Sequence, residues 1–323
     1  MSNRPKDFFS GWTPTPFNRK NLIINGDFRI NQRGGTYSGS AEYGLDRWYN
    51  IGGTSAEMFQ TTTFESRTWM RLTKKVAVGA TMSALQPIEV IADDSFAPFL
   101  IGETFTLSFD IYTTVSDVDA FFRAGFATDK TLATRVDELP ATYVSVTASE
   151  TTRVTQTFTV TTGMRTNDEF FFVQIGANKS SNFAVDDVVY ITNVQLELGD
   201  KATEFEWRHH SEELELCQRY FQRINAGVGG LGYGGDTSGT TALCAIPLSA
   251  SLRAAPSLSV GAVGNLRYRG VQITKVLTGL SYLNHCEQAV NVLMQYSSVS
   301  GWAAGAATLY VQTATTVDFD AEL

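Results

Sequence analysis

The sequence contains little cysteine and no surplus of positive charge. Cys217, Cys244 and Cys286 are the three cysteines among 323 residues, and their wide spacing predicts neither a disulfide framework nor a zinc site. Such sparse cysteines are typical of a chain that folds in a reducing cytoplasm. The net charge of −8 argues against nucleic-acid binding, because phosphates repel an acidic protein.

Long hydrophobic runs are also missing. No stretch approaches the roughly 20 apolar residues that a membrane-spanning helix requires. Residues 1–20, MSNRPKDFFSGWTPTPFNRK, lack the apolar core of a signal peptide. We therefore expect neither membrane insertion nor a secretion leader.

The common catalytic motifs are absent as well. The sequence has neither G-x-S-x-G nor HExxH, and the adjacent His209 and His210 would not face one another on a helix. We predict that the chain is not an enzyme. A glycosidase-like pair of carboxylates stays open as an alternative, because sequence does not give their separation.

Alternation of apolar and polar residues dominates what is present. In ETFTLSFDIY, every second residue from Phe105 to Ile111 is apolar, which predicts a strand with one dry and one wet face. RVTQTFTV, FFFVQIGA and AFFRAGF show the same period. Residues 21–205 therefore predict an antiparallel β-sandwich, and further strand-like pieces predict a smaller C-terminal β-domain over 226–323. The expected fold class is all-β.

Residues 206–225 follow a helical period between the two β-domains. Ser211 is placed to cap the start of this helix, and Glu212 and Glu213 suit its positive end. The helix packs either on the chain's own two domains or against copies of the chain in an oligomer. An apolar stripe at helical spacing would make that contact: Leu214, Cys217, Phe221 and Ile224.

Residues 1–20 combine prolines, which interrupt helices and strands, with large aromatic side chains. A fully solvated tail needs no such side chains. The segment therefore predicts an arm that either folds back on the main domain or docks on a partner protein. The aromatic residues concerned are Phe8, Phe9, Trp12 and Phe17.

Two stretches resemble the ends of jelly-roll carbohydrate-binding modules. NLIINGDFRINQRG, followed by GLDRWY, is similar to their opening strand, and NFAVDDVVYITNVQLELG to their closing strand with a doubled Asp. The resemblance spans roughly residues 21–200 and implies a jelly roll whose opening and closing strands lie together. It also implies a structural calcium bound by Asp186 or Asp187 and a carbonyl from residues 25–27. Otherwise these aspartates make turn or cross-strand hydrogen bonds.

A glycan site requires an exposed aromatic ring beside amide or carboxylate groups, because sugars have apolar C–H faces and polar edges. Each candidate in the first domain could equally be a core or rim aromatic, and a sandwich that binds no sugar is the alternative. The candidates are Trp48, Tyr49, Trp69 and Tyr43.

Four stretches in order along the chain resemble tailed-bacteriophage fibre and virion-surface proteins. They are the opening NLIINGDFRINQRG, the junction VQLELGDKATEFEWRHHSEELELCQRYFQ, IPLSASLRAAPSLSV and the terminal DFDAEL. This resemblance implies a homotrimer on the virion surface, made in the cytoplasm of the host bacterium. The arm 1–20 would attach it to other virion proteins, and the helix and the C-terminal domain would supply the trimer contacts.

The function expected from these features is that of a structural virion protein, a fibre, spike or decoration. It would help the phage adsorb to host-surface polysaccharide. A head or tail component with no ligand is the alternative, and a polysaccharide-degrading enzyme is a weaker one.

Overall fold

A computed structural model describes most of the chain in two compact units, Met1–Arg208 and His209–Leu323. The described residues are 20–34, 42–51, 56–89, 101–161, 170–226, 229–238, 241–260, 265–268, 271–286, 289–296, 306–311 and 315–322. The all-β prediction is confirmed, because strands dominate both units in these ranges.

The first unit is an antiparallel β-sandwich. Its strands are β1 (Glu42–Leu45), β2 (Trp48–Asn50), β3 (Ala56–Phe64), β4 (Arg67–Lys74), β5 (Thr81–Ile88), β6 (Thr104–Thr113), β7 (Val118–Ala127), β8 (Val136–Val146), β9 (Thr152–Thr159), β10 (Phe170–Lys179) and β11 (Val188–Leu198). They form a six-stranded sheet in the order β1-β2-β5-β10-β7-β8 and a five-stranded sheet in the order β3-β4-β11-β6-β9. The two-sheet sandwich predicted for this region is therefore present.

The inward side chains of the two sheets form one apolar core. Phe105 and Phe109 of β6 lie in this core, as their alternation predicts, and Phe109 meets Phe122 of β7 with ring centres 6.0 Å apart. Phe126 and Phe171 make a second edge-to-face contact at 5.2 Å. Burial of these aromatic rings is the main term that favours folding of this unit.

The opening segment packs against β11. Leu22 N donates to Leu196 O at 2.9 Å, and Val194 N donates to Gly26 O at 2.8 Å. A side chain at position 26 would overlap the carbonyl oxygen of Val194, so only glycine allows this close approach. The opening and closing stretches therefore lie together, as the carbohydrate-binding-module resemblance implies.

Residues 199–208, here called the closing segment, return from β11 across the outer side of the five-stranded sheet. Thr106 Oγ1 donates to Gly199 O at 2.9 Å, and Glu206 N donates to Gln195 Oε1 at 2.9 Å. Thr106 is consequently buried, and Ser108 on the same face is buried beside Arg153, whose Nη2 donates to Ser108 Oγ at 2.7 Å. The sequence predicts this face of β6 to be wet, and the prediction is wrong because the chain covers its own polar face.

The second unit begins with the helix α1 (His210–Gln218). Its strands are β12 (Phe221–Ala226), β13 (Gly229–Ser238), β14 (Thr241–Pro247), β15 (Ser257–Val260), β16 (Asn265–Tyr268), β17 (Val271–Cys286), β18 (Ala289–Tyr296), β19 (Ala306–Val311) and β20 (Thr315–Asp320). Three strands form a sheet in the order β12-β20-β15, and six close a barrel in the order β13-β14-β18-β17-β16-β19.

The helix α1 is shorter than the sequence predicts. Its N-cap is His209, whose Nδ1 accepts from Ser211 N at 3.3 Å, so the prediction that Ser211 is the cap is wrong. The helix ends before Phe221, which starts strand β12 and pairs with Asp320 of β20. Cross-strand pairing overrides the helical period of the local sequence here.

The predicted apolar stripe is therefore divided between two elements. Leu214 and Cys217 lie on α1, whereas Phe221 and Ile224 lie on β12. Arg223, between the latter two, makes two hydrogen bonds to the carboxylate of Asp318 at 2.7 and 2.6 Å, which fixes β12 on β20. The four side chains do not form a single helical face.

Within the described ranges, no helix has the length and apolar character needed to cross a membrane.

Candidate functional site

The two tryptophans predicted as glycan platforms are both buried with 0% exposure. Trp48 belongs to the core, packs on Phe28 with ring centres 5.2 Å apart, and donates from Nε1 to Asn25 O at 3.0 Å. Trp69 lies on β4 of the five-stranded sheet. Neither indole presents a face to solvent, so in this structure neither can stack on a sugar.

The two tyrosine candidates lie together on another surface. Tyr43 and Tyr49 pair across β1 and β2, with ring centres 5.3 Å apart in an edge-to-face arrangement. They are 7% and 6% exposed. Trp48 points into the core, so its neighbour Tyr49 points to the opposite side of the six-stranded sheet. Burial raises the pKa of Tyr49, because a charged phenolate is poorly solvated there.

That opposite side, here called the outer face, crosses all six strands. On β5 and β10 the core takes Ala84, Val173 and Ile175, so the residues between them lie on the outer face. These include Gln174, whose Nε2 donates to Ser83 Oγ at 2.9 Å across the two strands. The middle of the outer face therefore holds a buried polar pair.

The β7–β8 side of the outer face carries an exposed aromatic ring with charged neighbours. Tyr143 is 50% exposed, and its ring centre lies 5.6 Å from that of Phe121 on the paired strand. Arg123 lies over the ring of Phe121, with its Cζ 5.2 Å from the centre of that ring. Its Nη1 is 3.9 Å from Asp137 Oδ2. We call Phe121, Arg123, Asp137 and Tyr143 the aromatic–polar strip.

A row of hydrogen-bonding side chains borders the strip at one end. Ser145 Oγ donates to Asp119 Oδ1 at 2.9 Å, and the side-chain amide nitrogen of Asn178 donates to Thr81 Oγ1 at 2.9 Å. Register places Asn178 opposite both Asp119 and Thr81, so the two pairs lie in one line across the sheet. Hydroxyl, amide and carboxylate groups here can exchange hydrogen bonds with the hydroxyls of a bound molecule.

The doubled aspartate lies in a tight turn before β11. Asp187 Oδ2 accepts from Ala184 N at 2.8 Å, and Asp186 has a φ of 69°. Asp186 N and Lys74 O are joined by a backbone hydrogen bond of 2.8 Å. These are turn hydrogen bonds, the predicted alternative to calcium binding for these aspartates.

The proposed carbonyl ligands are far from these aspartates. The stretch around Gly26 packs on Val194, which lies well along β11 from Asp187, roughly 20 Å away at the usual rise of a strand. The predicted calcium site, in which Asp186 or Asp187 would share the ion with a carbonyl from residues 25–27, is therefore wrong. In the described part of the chain no three His, Cys, Asp or Glu side chains converge to hold a metal. Two aspartates do not supply the 6–8 oxygens that Ca²⁺ takes.

The remaining predicted site residues lie elsewhere. Cys217 and Phe221 are buried within the second unit, while Leu214 and Ile224 are half-buried. The aromatic residues of the arm, Phe8, Phe9, Trp12 and Phe17, fall outside the described residues.

Sequence reasoning misses the aromatic–polar strip, although the signal is present. In PATYVSV, Val144 and Val146 alternate with Tyr143 and Ser145, which places the tyrosine with a polar neighbour on the wet face. In FFRAGF, Phe121 shares its face with Arg123 by the same rule. An aromatic ring two residues from a polar side chain is a better indicator of an exposed platform than a tryptophan alone.

No protein-family model matches the sequence, and no curated protein matches it. Solved structures with a similar fold include an arabinose-bound MgGH51 α-L-arabinofuranosidase, at 16% identity and a TM-score of 0.36. The match covers 55% of this chain and 26% of that one, so the chain spans about a quarter of that enzyme's length.

Two further similar structures are matched over nearly their whole length. The CBM22-2 xylan-binding domain of Paenibacillus barcinonensis Xyn10C has 12% identity and a TM-score of 0.36, with 55% of this chain and 99% of that one covered. A cyclase from Fischerella sp. TAU has 12% identity and a TM-score of 0.37, with 57% and 99% covered. At these scores the likeness decides nothing about ligand, activity or assembly.

Proposed function

We propose that the first unit binds a polysaccharide on its outer face through the aromatic–polar strip. The observation that carries this proposal is the half-exposed ring of Tyr143, which is held beside Phe121, Arg123 and Asp137. A sugar ring can stack its C–H face on the tyrosine while its hydroxyls reach the guanidinium and the carboxylate.

The fixed geometry of the strip favours this use. Arg123 is held between the Phe121 ring and Asp137, and Asp137 also lies 3.3 Å from Arg135 Nε. Side chains that are already ordered lose less conformational entropy when a ligand binds. The strip would therefore orient a sugar residue at a low entropic cost.

We further propose that the whole chain is a homotrimeric virion-surface protein of a tailed bacteriophage that uses this face to adsorb to host polysaccharide. The support is the resemblance of four stretches, in order, to phage fibre and virion-surface proteins. In this proposal the arm 1–20 joins other virion proteins, and the chain binds polysaccharide without cleaving it. Reducing-sugar release from a bound polysaccharide would contradict the last point.

The glycan proposal is tested by binding of the full chain to an array of bacterial polysaccharides. Tyr143→Ala should weaken binding about tenfold or more, the loss expected when an aromatic contact worth about 1.4 kcal/mol is removed. Tyr190→Ala is the matched control, because Tyr190 contacts the tilted ring of Tyr112, with ring centres 6.0 Å apart, on the five-stranded sheet. Equal binding by the Tyr143 variant would reject the strip as the site.

A purely structural component without a ligand is the second candidate. It is favoured by the burial of Trp48 and Trp69, the two largest aromatic candidates, inside the first unit. Wild-type protein that binds nothing across a wide array, while still present on purified virions, would establish this alternative.

The trimer is tested by light scattering of a Leu214→Asp variant. Leu214 is half-buried on α1, so an added carboxylate at a subunit contact would be desolvated without a partner and should give monomers. Phe221→Asp is the contrasting variant: Phe221 is buried in the three-stranded sheet, and its change should unfold the second unit. If the Leu214→Asp variant still forms trimers, the subunit interface lies elsewhere.

A further inference from the structure

Residues 128–135, here called the cover loop, join β7 to β8 and reach the far side of the outer face. Lys130 Nζ lies 5.0 Å from the ring centre of Tyr43 and 5.5 Å from that of Tyr49. Tyr49 is on β2, separated from β7 by β10 and β5, which is about 14 Å at the usual spacing of strands. The loop must therefore lie across this end of the sheet.

The cover loop also contains a buried apolar residue. Leu132, in the middle of the cover loop, is 2% exposed although it belongs to a connection between strands. Phe172, on the outer face of β10, has no exposed surface. Loop residues at the surface of a protein are usually solvated, so a buried leucine indicates that the loop packs on the structure beneath it.

The cover loop also has a shape of its own. Asp129 accepts hydrogen bonds from Thr131 Oγ1, from Ala133 N at 3.2 Å and from Thr134 N at 3.0 Å. Thr128 Oγ1 and Thr134 Oγ1 are 2.6 Å apart, which joins the two ends of the loop. A loop closed by its own hydrogen bonds can move as one body without first losing its internal structure.

We propose that the cover loop is a removable lid and that the Tyr49 ring beneath it is a second stacking platform for the same polysaccharide. Lys130 lies over both tyrosine rings, and Arg33, outside the loop, also lies over Tyr43 with Cζ 5.4 Å from the ring centre, so lifting the loop frees the ring surface of Tyr49 for the C–H face of a sugar. A cation and a sugar compete for the same aromatic surface. The role of this platform in polysaccharide binding rests on the proposed function, whereas the covering of the tyrosines by the loop does not.

Removal of the lid would lengthen the site along the sheet. Gln174 and Ser83 lie between the tyrosine pair and the aromatic–polar strip in strand order, so a polymer that reaches both aromatic groups would cross this polar pair. With the lid closed, only the strip is available. Binding to both platforms then requires the open state, which lowers apparent affinity by the fraction of molecules that are open.

Tyrosine nitration of the full chain by tetranitromethane tests the cover directly, with peptide mass spectrometry to locate the product. Lys130→Ala/Leu132→Ala should raise nitration of Tyr49 about fivefold or more, because modification follows the population of the open state, whereas Tyr43 should change less because Arg33 also covers it. Tyr143 is exposed in both proteins and serves as the internal standard. Lys130→Ala alone, which keeps Leu132, provides a milder variant if the double variant does not fold.

The matched control is Lys201→Ala, which removes an exposed lysine outside the outer face. The second measurement is affinity for a polysaccharide bound by the wild type. The Lys130→Ala/Leu132→Ala variant should bind this polysaccharide about tenfold more tightly than the wild type.

Unchanged nitration in both Lys130 variants would overturn the proposal. Increased nitration with unchanged affinity would show that the loop covers the tyrosines without limiting polysaccharide binding, and this result would also overturn the proposal. A chain that binds no polysaccharide in any form would reject the proposed function and the tyrosine platform together. Nitration would still report whether the loop covers the tyrosines, so the two failures are distinguishable.

Discussion

The outer sides of the two sheets in the sandwich are both covered, but by different chemistry. On the five-stranded sheet, the closing segment is tied to the strands by hydrogen bonds such as Thr106 to Gly199 and Glu206 to Gln195. On the six-stranded sheet, the cover loop contacts the tyrosine pair through the Lys130 ammonium, and Leu132 of the same loop is buried.

The difference indicates which cover is permanent. The closing segment ends in Arg208, whose buried guanidinium donates to the carbonyl oxygens of Asn21 and Ile23 and to Glu206. Losing these bonds would leave several buried polar groups without partners. Lifting the cover loop would expose aromatic and aliphatic surface and disturb the contact of Arg135 with Asp137, whereas the hydrogen bonds that Asp129 accepts within the loop would persist. If the cover loop lifts as proposed above, one face of the sandwich stays available for binding, whereas the closing segment covers the other permanently.

The largest effect that would test this contrast is expected from Arg208→Ala. Removal of the guanidinium takes the donor away from two buried carbonyl oxygens, and the Glu206 carboxylate keeps only its bonds from Lys20 N and Asn21 N, so the free energy of unfolding should fall by about 3 kcal/mol. Urea denaturation followed by fluorescence of the buried tryptophans measures this loss.

Lys130→Ala provides the comparison for the same measurement. Removal of the Lys130 ammonium should lower the free energy of unfolding by about 1 kcal/mol, the range of a partly exposed cation–π contact. Equal losses for the two variants would remove the distinction between a permanent and a removable cover.

A smaller effect is expected from pH. Hydrogen bonds from the side chains of Thr131 and Thr134 hold the pKa of Asp129 well below its ordinary value of 3.8. Since the folded pKa is the lower one, Asp129 stabilises the cover loop fully above about 3.8, and this contribution is lost as the pH falls through the folded pKa. The loop should therefore keep its shape throughout the neutral and mildly acidic range.

Amide hydrogen exchange, corrected for the intrinsic rate, checks this expectation. Protection of Ala133 N and Thr134 N should be constant above pH 3.8 and decrease in stronger acid, whereas Asp129→Asn should show weaker protection at every pH. Val160 N, bonded to the backbone oxygen of Glu103, is the control amide. Protection that declines already near neutrality would assign the loop's stability to a different group.

Much of the sandwich is predictable because period-2 alternation records which side of a strand is apolar. Phe105 and Phe109 lie in the core as this alternation requires. Alternation gives the face of a residue but not what later covers that face. Thr106 is polar and still buried, because the closing segment, distant in sequence, lies over it, and Ser108 is buried where its Oγ accepts from Arg153 of β9.

The same limit explains the glycan candidates. A tryptophan is compatible with either face of a strand, and both Trp48 and Trp69 are buried. Tyr143 is identifiable only through its polar neighbour Ser145 and the apolar Val144 between them. The helix illustrates a second limit, since Phe221 and Ile224 fit the period of α1 but pair with a strand almost one hundred residues further along.

The packing of the opening segment beside the closing segment has a practical consequence. Lys20 Nζ donates to Glu204 O at 2.8 Å, and Arg208 contacts Asn21, so the chain enters and leaves the first unit at neighbouring points. A domain with adjacent ends can be inserted into, or cut from, a longer polypeptide while the flanking parts stay connected. Exchange of residues 20–208 for another sandwich with adjacent ends should then replace this unit without rebuilding the rest of the chain.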